Sequence, residues 1–300
     1  MKVYVIYHRT DFDGRGSAAV INDFYRNKEG FEIVNIPLNN EEVPHDYKEW
    51  DKDAMVYMSD ISFPKREQME YLLETYGDNF IWNDHHASSM KNCEGLNIRG
   101  IQRADYAAIQ LTWFWFNQDK FSSIETAKFP EAINYVGHVD IKKPLKDSEE
   151  FLTALILHTE LYDPTNPDWE KLINNDEGML STLLTEGRVA QRYRESIEQE
   201  AAQEIIHFVE FEGYKVPAAN IYFFKYEVFF HAKEGNLYEE YPFVITYYRN
   251  NEGQWKLSLR GTGNEKYKDI DVSLLAKKHG GGGHKKAAGI RSKELPFKYL

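Results

Sequence analysis

The triplet Asp84-His85-His86 follows the stretch Asn79 to Trp82 with only Asn83 between, so three side chains able to ligate a metal stand where a strand should end. Carboxylate oxygen and imidazole nitrogen together suit a borderline divalent cation. The same placement recurs along the chain. His8, Asp11 and Asp13 come straight after the apolar run Val3 to Tyr7, with Gly14 and Gly16 beyond them, and Asp60 follows the run Met55 to Met58. Asp140 ends the stretch Ala132 to Val139, which reads as a helix running into a loop. Each residue alone has a plain structural alternative: a core histidine at His8, an Asp-Gly turn at Asp11 to Gly14, a helix cap at Asp60, a surface carboxylate beside Lys142 and Lys143 at Asp140. As a set they call for one explanation, a centre into which six ligands converge.

Such convergence needs strands that end side by side. The short apolar runs fit strands buried on both faces, as in a parallel sheet, with helices between them. Pro64 with Ser62 ahead of it marks a helix start, and Met69, Leu72, Leu73 and Tyr76 recur at helical spacing. Open α/β sheets bind ligands just beyond the carboxyl ends of their strands, where these residues fall. The aromatic cluster Trp113-Phe114-Trp115-Phe116 lies in an expected helix, Tyr106 to Asn117, and reads as core rather than as a base-stacking surface. Val189, Tyr193, Ile197, Ala201, Ile205 and Phe208 make a stripe at helical spacing in a long helix beginning after Gly187. This helix, 186–213, divides a first domain, 1–185, from a second, 214–300. In the second, Phe243 to Tyr248 and Trp255 to Leu259 read as strands joined by a turn at Asn250 to Gly253, and Val272 to Lys278 as a helix leading into four consecutive glycines. Glycines let a backbone approach a ligand, and exposed amides in such a turn form a concavity for anions. Arg260 and His284 add side-chain donors there, and Lys277, Lys278, Lys285 and Lys286 bracket the loop.

The pattern His8-x-x-Asp11-x-Asp13-Gly14, then Asp60, then Asp84-His85-His86, then Asp140 resembles the four motifs of the DHH phosphoesterase family. Ser258-Leu259-Arg260 followed by Gly280-Gly281-Gly282-Gly283-His284-Lys285-Lys286-Ala287-Ala288-Gly289 is similar to the signature of the DHH-associated C-terminal domain. The resemblance implies a Rossmann-like, parallel-sheet α/β DHH domain and a smaller α/β DHH-associated domain joined by the connector helix. It implies that His8, Asp11 and Asp60 hold one divalent cation and Asp13, Asp60, His85 and Asp140 a second, with Asp60 bridging. Two such ions, manganese above all with magnesium or cobalt as alternatives, lower the pKa of a water and neutralise charge on an in-line displacement at phosphorus. The resemblance further implies that Asp60, Asp84 and His86 form the catalytic group, with His86 placed to hydrogen-bond the scissile phosphate. Gly281, Gly282, Gly283, His284 and Arg260 hold the rest of the substrate, and Thr262 supplies the hydroxyl that Gly261 lacks. The substrate would lie in a cleft between the domains.

Charge narrows the substrate. With 48 acidic against 36 basic residues the formal charge is −12, which repels long polyanions. A short RNA oligonucleotide or dinucleotide needs no wide basic face. The expected activity is hydrolysis of short RNA to mononucleotides; a cyclic dinucleotide phosphodiesterase and a 3′-phosphoadenosine 5′-phosphate phosphatase remain open, and the non-enzymatic competitor is a nucleotide sensor. Cys93 is the only cysteine, so no intrachain disulfide forms. No run approaches a membrane span and no cleavable signal precedes the first strand, which points to the cytoplasm. A homodimer is compatible with the composition.

Overall fold

The run Lys2–His8 forms strand β1, buried along its whole interior. In the computed structural model, which describes residues 1–222, 226–233 and 235–300, it opens the first of two units, Met1–Gln191 and Arg192–Leu300. Helix α1 (Phe12–Tyr25), strand β2 (Glu32–Leu38), strand β3 (Met55–Ser59), helix α2 (Arg66–Tyr76), strand β4 (Phe80–Asn83) and helix α3 (Ala87–Asn92) follow. The four strands pair in the order β2-β1-β3-β4, all parallel. Their register matters for function: Tyr7 is level with Ser59, and Ser59 with Asn83. The next residues, His8, Asp60 and Asp84, therefore leave three neighbouring strands at the same carboxyl edge.

Strand β2 was not expected. Asn35 and Pro37 interrupt its apolar run, and the sheet accommodates the proline because β2 is an edge strand, where a missing amide donor leaves no ladder partner unpaired. Helix α2 also differs from expectation. It begins at Arg66, with the Lys65 amide donating to Gln68 Oε1, while Ser62 instead donates to the hydroxyl of Ser89.

Helices α4 (Ala108–Asn117), α5 (Glu131–Asp140), α6 (Ser148–Leu157), α7 (Asp168–Ile173) and α8 (Glu177–Ile205) complete the helical part. They share a core in which Ile109, Trp113, Val136, Phe151, Trp169 and Leu183 are buried. Trp113 thus packs inside, as the helical reading of the aromatic cluster requires. Gly187 permits a close crossing of α8 over α6, since a Cβ there would lie 1.9 Å from the carbonyl oxygen of Glu150. Helix α8 starts at Glu177 rather than after Gly187 and gives way to a strand at Ile206, so Phe208 is not on it. Val189 and Tyr193 are 52% and 69% exposed, so the expected stripe is not a packing seam along its first turns.

The second unit is built on a mixed sheet: β5 (Ile206–Phe211), β6 (Tyr214–Asn220), α9 (Leu237–Glu240), β7 (Phe243–Arg249), β8 (Trp255–Gly261), α10 (Val272–Lys277), β9 (Gly282–His284), β10 (Ala287–Ser292) and β11 (Lys298–Tyr299). The strand order is β11-β5-β6-β7-β8-β10-β9, antiparallel except for β6 with β7. Alternate residues of β7 and β8, among them Ile245, Tyr247, Leu257 and Leu259, face a core that α10 closes with Val272 and Ala276. Their neighbours Thr246, Tyr248, Lys256, Ser258 and Arg260 lie on the opposite face. Among the described residues no helix is long and apolar enough to cross a membrane.

Candidate metal centre

Three groups of side chains at the carboxyl edge of the first sheet bring nitrogen and oxygen atoms within 4.8 Å of one another: His8, Asp11 and Asp60; Asp13, His85 and Asp140; and Asp60, His85 and His86. All six residues expected as ligands are thus brought together, and Asp60 belongs to two of the groups. His8 Nδ1 lies 2.8 Å from Asp11 Oδ2 and 3.6 Å from Asp60 Oδ2. His85 Nε2 lies 3.2 Å from Asp60 Oδ1, 3.2 Å from Asp140 Oδ2 and 3.5 Å from Asp13 Oδ2.

Each side chain is held by local structure. Asp11 caps α1, its Oδ1 accepting from the amide of Gly14. A Cβ at Gly14 would lie 2.1 Å from the carbonyl oxygen of His8, so only glycine lets α1 start this close to the strand end. Asp13 is buried and accepts from the amides of Ala108 (2.8 Å) and Ile109 (2.7 Å), which open α4. The helix start compensates part of its charge. This anchor, across more than ninety residues of chain, has no local signal in the sequence. Asp60 has a φ of 62°, a left-handed conformation costly for a residue with a Cβ, stabilised as its amide donates to the carbonyl of Asn83. Asp140 is the last residue of α5, at the expected helix end.

Asp84 behaves differently from the role expected of it. It is fully buried, and its Oδ1 accepts from the amides of His85 (2.7 Å) and His86 (3.1 Å) and pairs with His86 Nδ1 (2.8 Å). It is a positioning residue that fixes both histidines, and it presents nothing to a substrate. His86, 44% exposed, points its other ring nitrogen away from this bond. Beside it opens a cavity of about 370 Å³ lined by Asn40, Glu41, Ser62, Ser88, Ser89 and Asn92, among others. These residues come from three separate stretches of chain, and no motif announced them.

Crowded carboxylates set the electrostatics. Burial, with Asp60 and Asp140 nearby, pushes the Asp13 carboxyl well above the usual carboxylate range. Burial likewise raises Asp60 to about 7, against the opposing pull of the His8 imidazole 3.6 Å from its Oδ2. The hydrogen bond to Asp11, then the nearby Asp60 carboxylate, raises His8 to about 10, and the bond to Asp84 raises His86 to about 9. Carboxylates crowded at one sheet edge thus hold their protons, and those of their histidine partners, to higher pH than usual. Asp60 Oδ2 is buried with no hydrogen-bond partner among the described residues. An orphaned carboxylate oxygen between clustered imidazole and carboxylate ligands fits a divalent cation, which would replace those protons.

In the second unit, Arg260 on β8 and His284 on β9 are both in register with Ala287 on the intervening β10, so they share one sheet face. Two expectations need correction. Thr262 is fully buried and its hydroxyl accepts from the amide of Asn264, so it shapes a turn and offers no substrate contact. The glycine run is also no free anion-binding turn. The amides of Gly280 and Gly281 donate to the carbonyls of Lys277 and Ala276, and Cβ atoms at Gly281 and Gly283 would lie 2.2 and 2.4 Å from carbonyl oxygens of β10. Those two glycines serve strand packing; at Gly282 nothing stands within 4 Å of a Cβ, and there the space is open.

Residues 232–297 match the DHHA1 domain family. The fold is similar to that of the pGpG-specific phosphodiesterase PggH from Vibrio cholerae, at a TM-score of 0.52 and 14% identity, covering 97% of this chain and 92% of that one. RecJ from Thermus thermophilus, solved with Mn2+, aligns at a TM-score of 0.44 and 14% identity over 97% of this chain and 49% of its own. No curated protein sequence matches the chain. A DHHA1 match in the second unit and a fold similar nearly end to end to that of PggH bear out the architecture that the motifs anticipated, a DHH-like α/β domain followed by a DHHA1 domain.

Proposed function

We propose that the chain is a divalent-cation-dependent phosphodiesterase that hydrolyses short RNA oligonucleotides to nucleoside monophosphates. The observation that carries this reading is the shared carboxylate of Asp60, which belongs both to the group with His8 and Asp11 and to a group with His85. His8, Asp11 and Asp60 would hold one cation and Asp13, Asp60, His85 and Asp140 a second; manganese suits this mixed nitrogen and oxygen set. When bound, the pair supplies charge neutralisation at the phosphoryl group and acidification of a water. The chain's own residues do the remainder. His86, oriented by its hydrogen bond with Asp84, would donate to a non-bridging phosphate oxygen. The cavity beside it has room for a nucleoside. Arg260 and His284 hold a further phosphate, the guanidinium in two-point fashion. PggH is specific for pGpG, and that supports a substrate as short as two nucleotides.

Replacing Asp60 by Ala should abolish turnover, because both candidate groups lose an oxygen. Products from di- to hexaribonucleotides, cyclic dinucleotides and 3′-phosphoadenosine 5′-phosphate, separated by chromatography after incubation with manganese, provide the test. Mononucleotides released by the parent and not by Asp60→Ala support the reading; an equally active variant removes it. A preference for cyclic dinucleotide or for 3′-phosphoadenosine 5′-phosphate would move the assignment to that substrate.

A further inference from the structure

The four adjacent strands β7, β8, β10 and β9 contain no Asp or Glu in a chain of formal charge −12. Their register sorts the basic residues other than Arg249 onto one face. Arg260 and His284 flank Ala287; four residues back along β8, Lys256 is level with Arg291 of β10 and with Tyr248 of β7. Between these rows the floor is small: Ser258 is level with Gly289, which is level with Gly282, and with Thr246. Two cavities share Lys256. One, of about 270 Å³, reaches Arg260 beside Tyr222, Tyr226 and Tyr248, and the other, of about 380 Å³, reaches Arg291 across Gly282 and Gly289. Both open on one sheet face, with Lys256 at their shared border, and outline a trough there. Among the described residues no carboxylate forms a salt bridge with Lys256, Arg260 or Arg291. Tyr222 and Tyr248 meet edge to face with ring centroids 4.7 Å apart at the trough's border.

We propose that this face is an extended oligonucleotide-binding surface, with Lys256 and Arg291 forming a second phosphate subsite beyond Arg260 and His284 and with Tyr248 beside it as a ring for base stacking. The inference deepens the phosphodiesterase reading and rests on it for the identity of the substrate. Four strand residues span about 13 Å, which separates the two rows by more than one phosphate position. Cations along a groove with aromatic rings beside it are the means by which single strands are held without sequence preference. A dinucleotide reaches only the first row, whereas a longer chain engages both.

Full-length protein in chelator, so that nothing is cleaved, would be titrated into labelled ribo-oligonucleotides of two, four and six residues, with anisotropy read at several salt concentrations. Affinity should rise with length. The double variant Lys256→Ala/Arg291→Ala should bind the hexamer at least about tenfold more weakly, as the removal of charge-assisted hydrogen bonds predicts. Its salt dependence should flatten by about 1.4 in logarithmic slope, about 0.7 for each phosphate left without its cationic side chain. Binding of the dimer should be unaffected, and Lys256→Arg/Arg291→Lys should retain the hexamer. Equal parental affinity for dimer and hexamer, no binding of either, or a double variant weakened equally on both would overturn the proposal. Displacement of the hexamer by inorganic polyphosphate, charge for charge, would overturn the nucleotide assignment. Length-dependent binding with no hydrolysis in manganese would leave this surface standing and remove the enzymatic reading instead.

Discussion

Asp84 shows why an acid need not touch a substrate to control one. A single buried oxygen takes three hydrogen bonds from the two histidines that follow it, and so fixes the backbone of both and the ring of His86. The same bond raises His86 to about 9. Replacing Asp84 by Asn removes the charge while keeping the shape, so the His86 titration of metal-free protein, followed by NMR, should fall from about 9 toward 6.5, its ordinary value. The sign for stability follows by linkage. A raised folded pKa contributes stability that is complete below 6.5 and lost as pH rises through about 9, and Asp84→Asn should flatten that part of the metal-free pH–stability curve. A His86 titration unchanged by the substitution would contradict the pairing. The donors that the fold brings together were legible in the sequence because donor types stood at strand ends. The division of labour among them was not, since it depends on which oxygen is buried: Asp13 is defined by the amides of Ala108 and Ile109, far away in the chain.

Elements deliver these residues through strand register and close backbone approach. Strands β1, β3 and β4 were legible as apolar runs because both faces are buried, and the pair β7–β8 and the helix α10 as periodic segments. Edge strand β2 was hidden by Pro37, and the bounds of α8 by residues that stay exposed, such as Val189 and Tyr193. The glycine run was legible as special, but for a different reason: β9 lies against β10 with no space for side chains at Gly281 and Gly283. Gly14 and Gly16 separate backbone from side-chain crowding within one helix. A Cβ at Gly14 would meet the backbone oxygen of His8 at 2.1 Å, whereas at Gly16 it would meet the tip of Ile109 at 2.4 Å. A side-chain tip rotates away and a strand end does not. Gly14→Ala should therefore cost about 1–3 kcal/mol or more in urea unfolding, exceed the cost of Gly16→Ala, and weaken metal binding by displacing His8. Equal costs, or an undisturbed metal affinity in Gly14→Ala, would show that α1 can shift without its strand.

At the scale of the whole molecule, the ligand groups all lie within Met1–Gln191, while the second unit has its own buried clusters around Phe243 and Leu259 and around Phe229 and Val244. Ligand binding stabilises only what it binds. In chelator, the first unit also carries the burden of its crowded acids: with Asp60 raised to about 7, its contribution is complete below 3.8 and lost as pH rises through 7. Cations that replace the protons should restore most where that loss is complete. Scanning calorimetry at pH 8 should therefore resolve two transitions in chelator. Manganese at a hundredfold excess over its dissociation constant should stabilise one of them by about 2.7 kcal/mol. For a unit of this size that is an upward shift of roughly 5–10 °C. The other transition should stay in place. At pH 5.5 the shift should shrink, since protons compete for the same oxygens, and in Asp60→Ala it should largely vanish. A single transition that moves as a whole would mean that α8, which runs past the Gln191 boundary to Ile205, couples the two units into one cooperative structure. Two transitions that both move would place a further cation site in the second unit, where the basic sheet face argues against one.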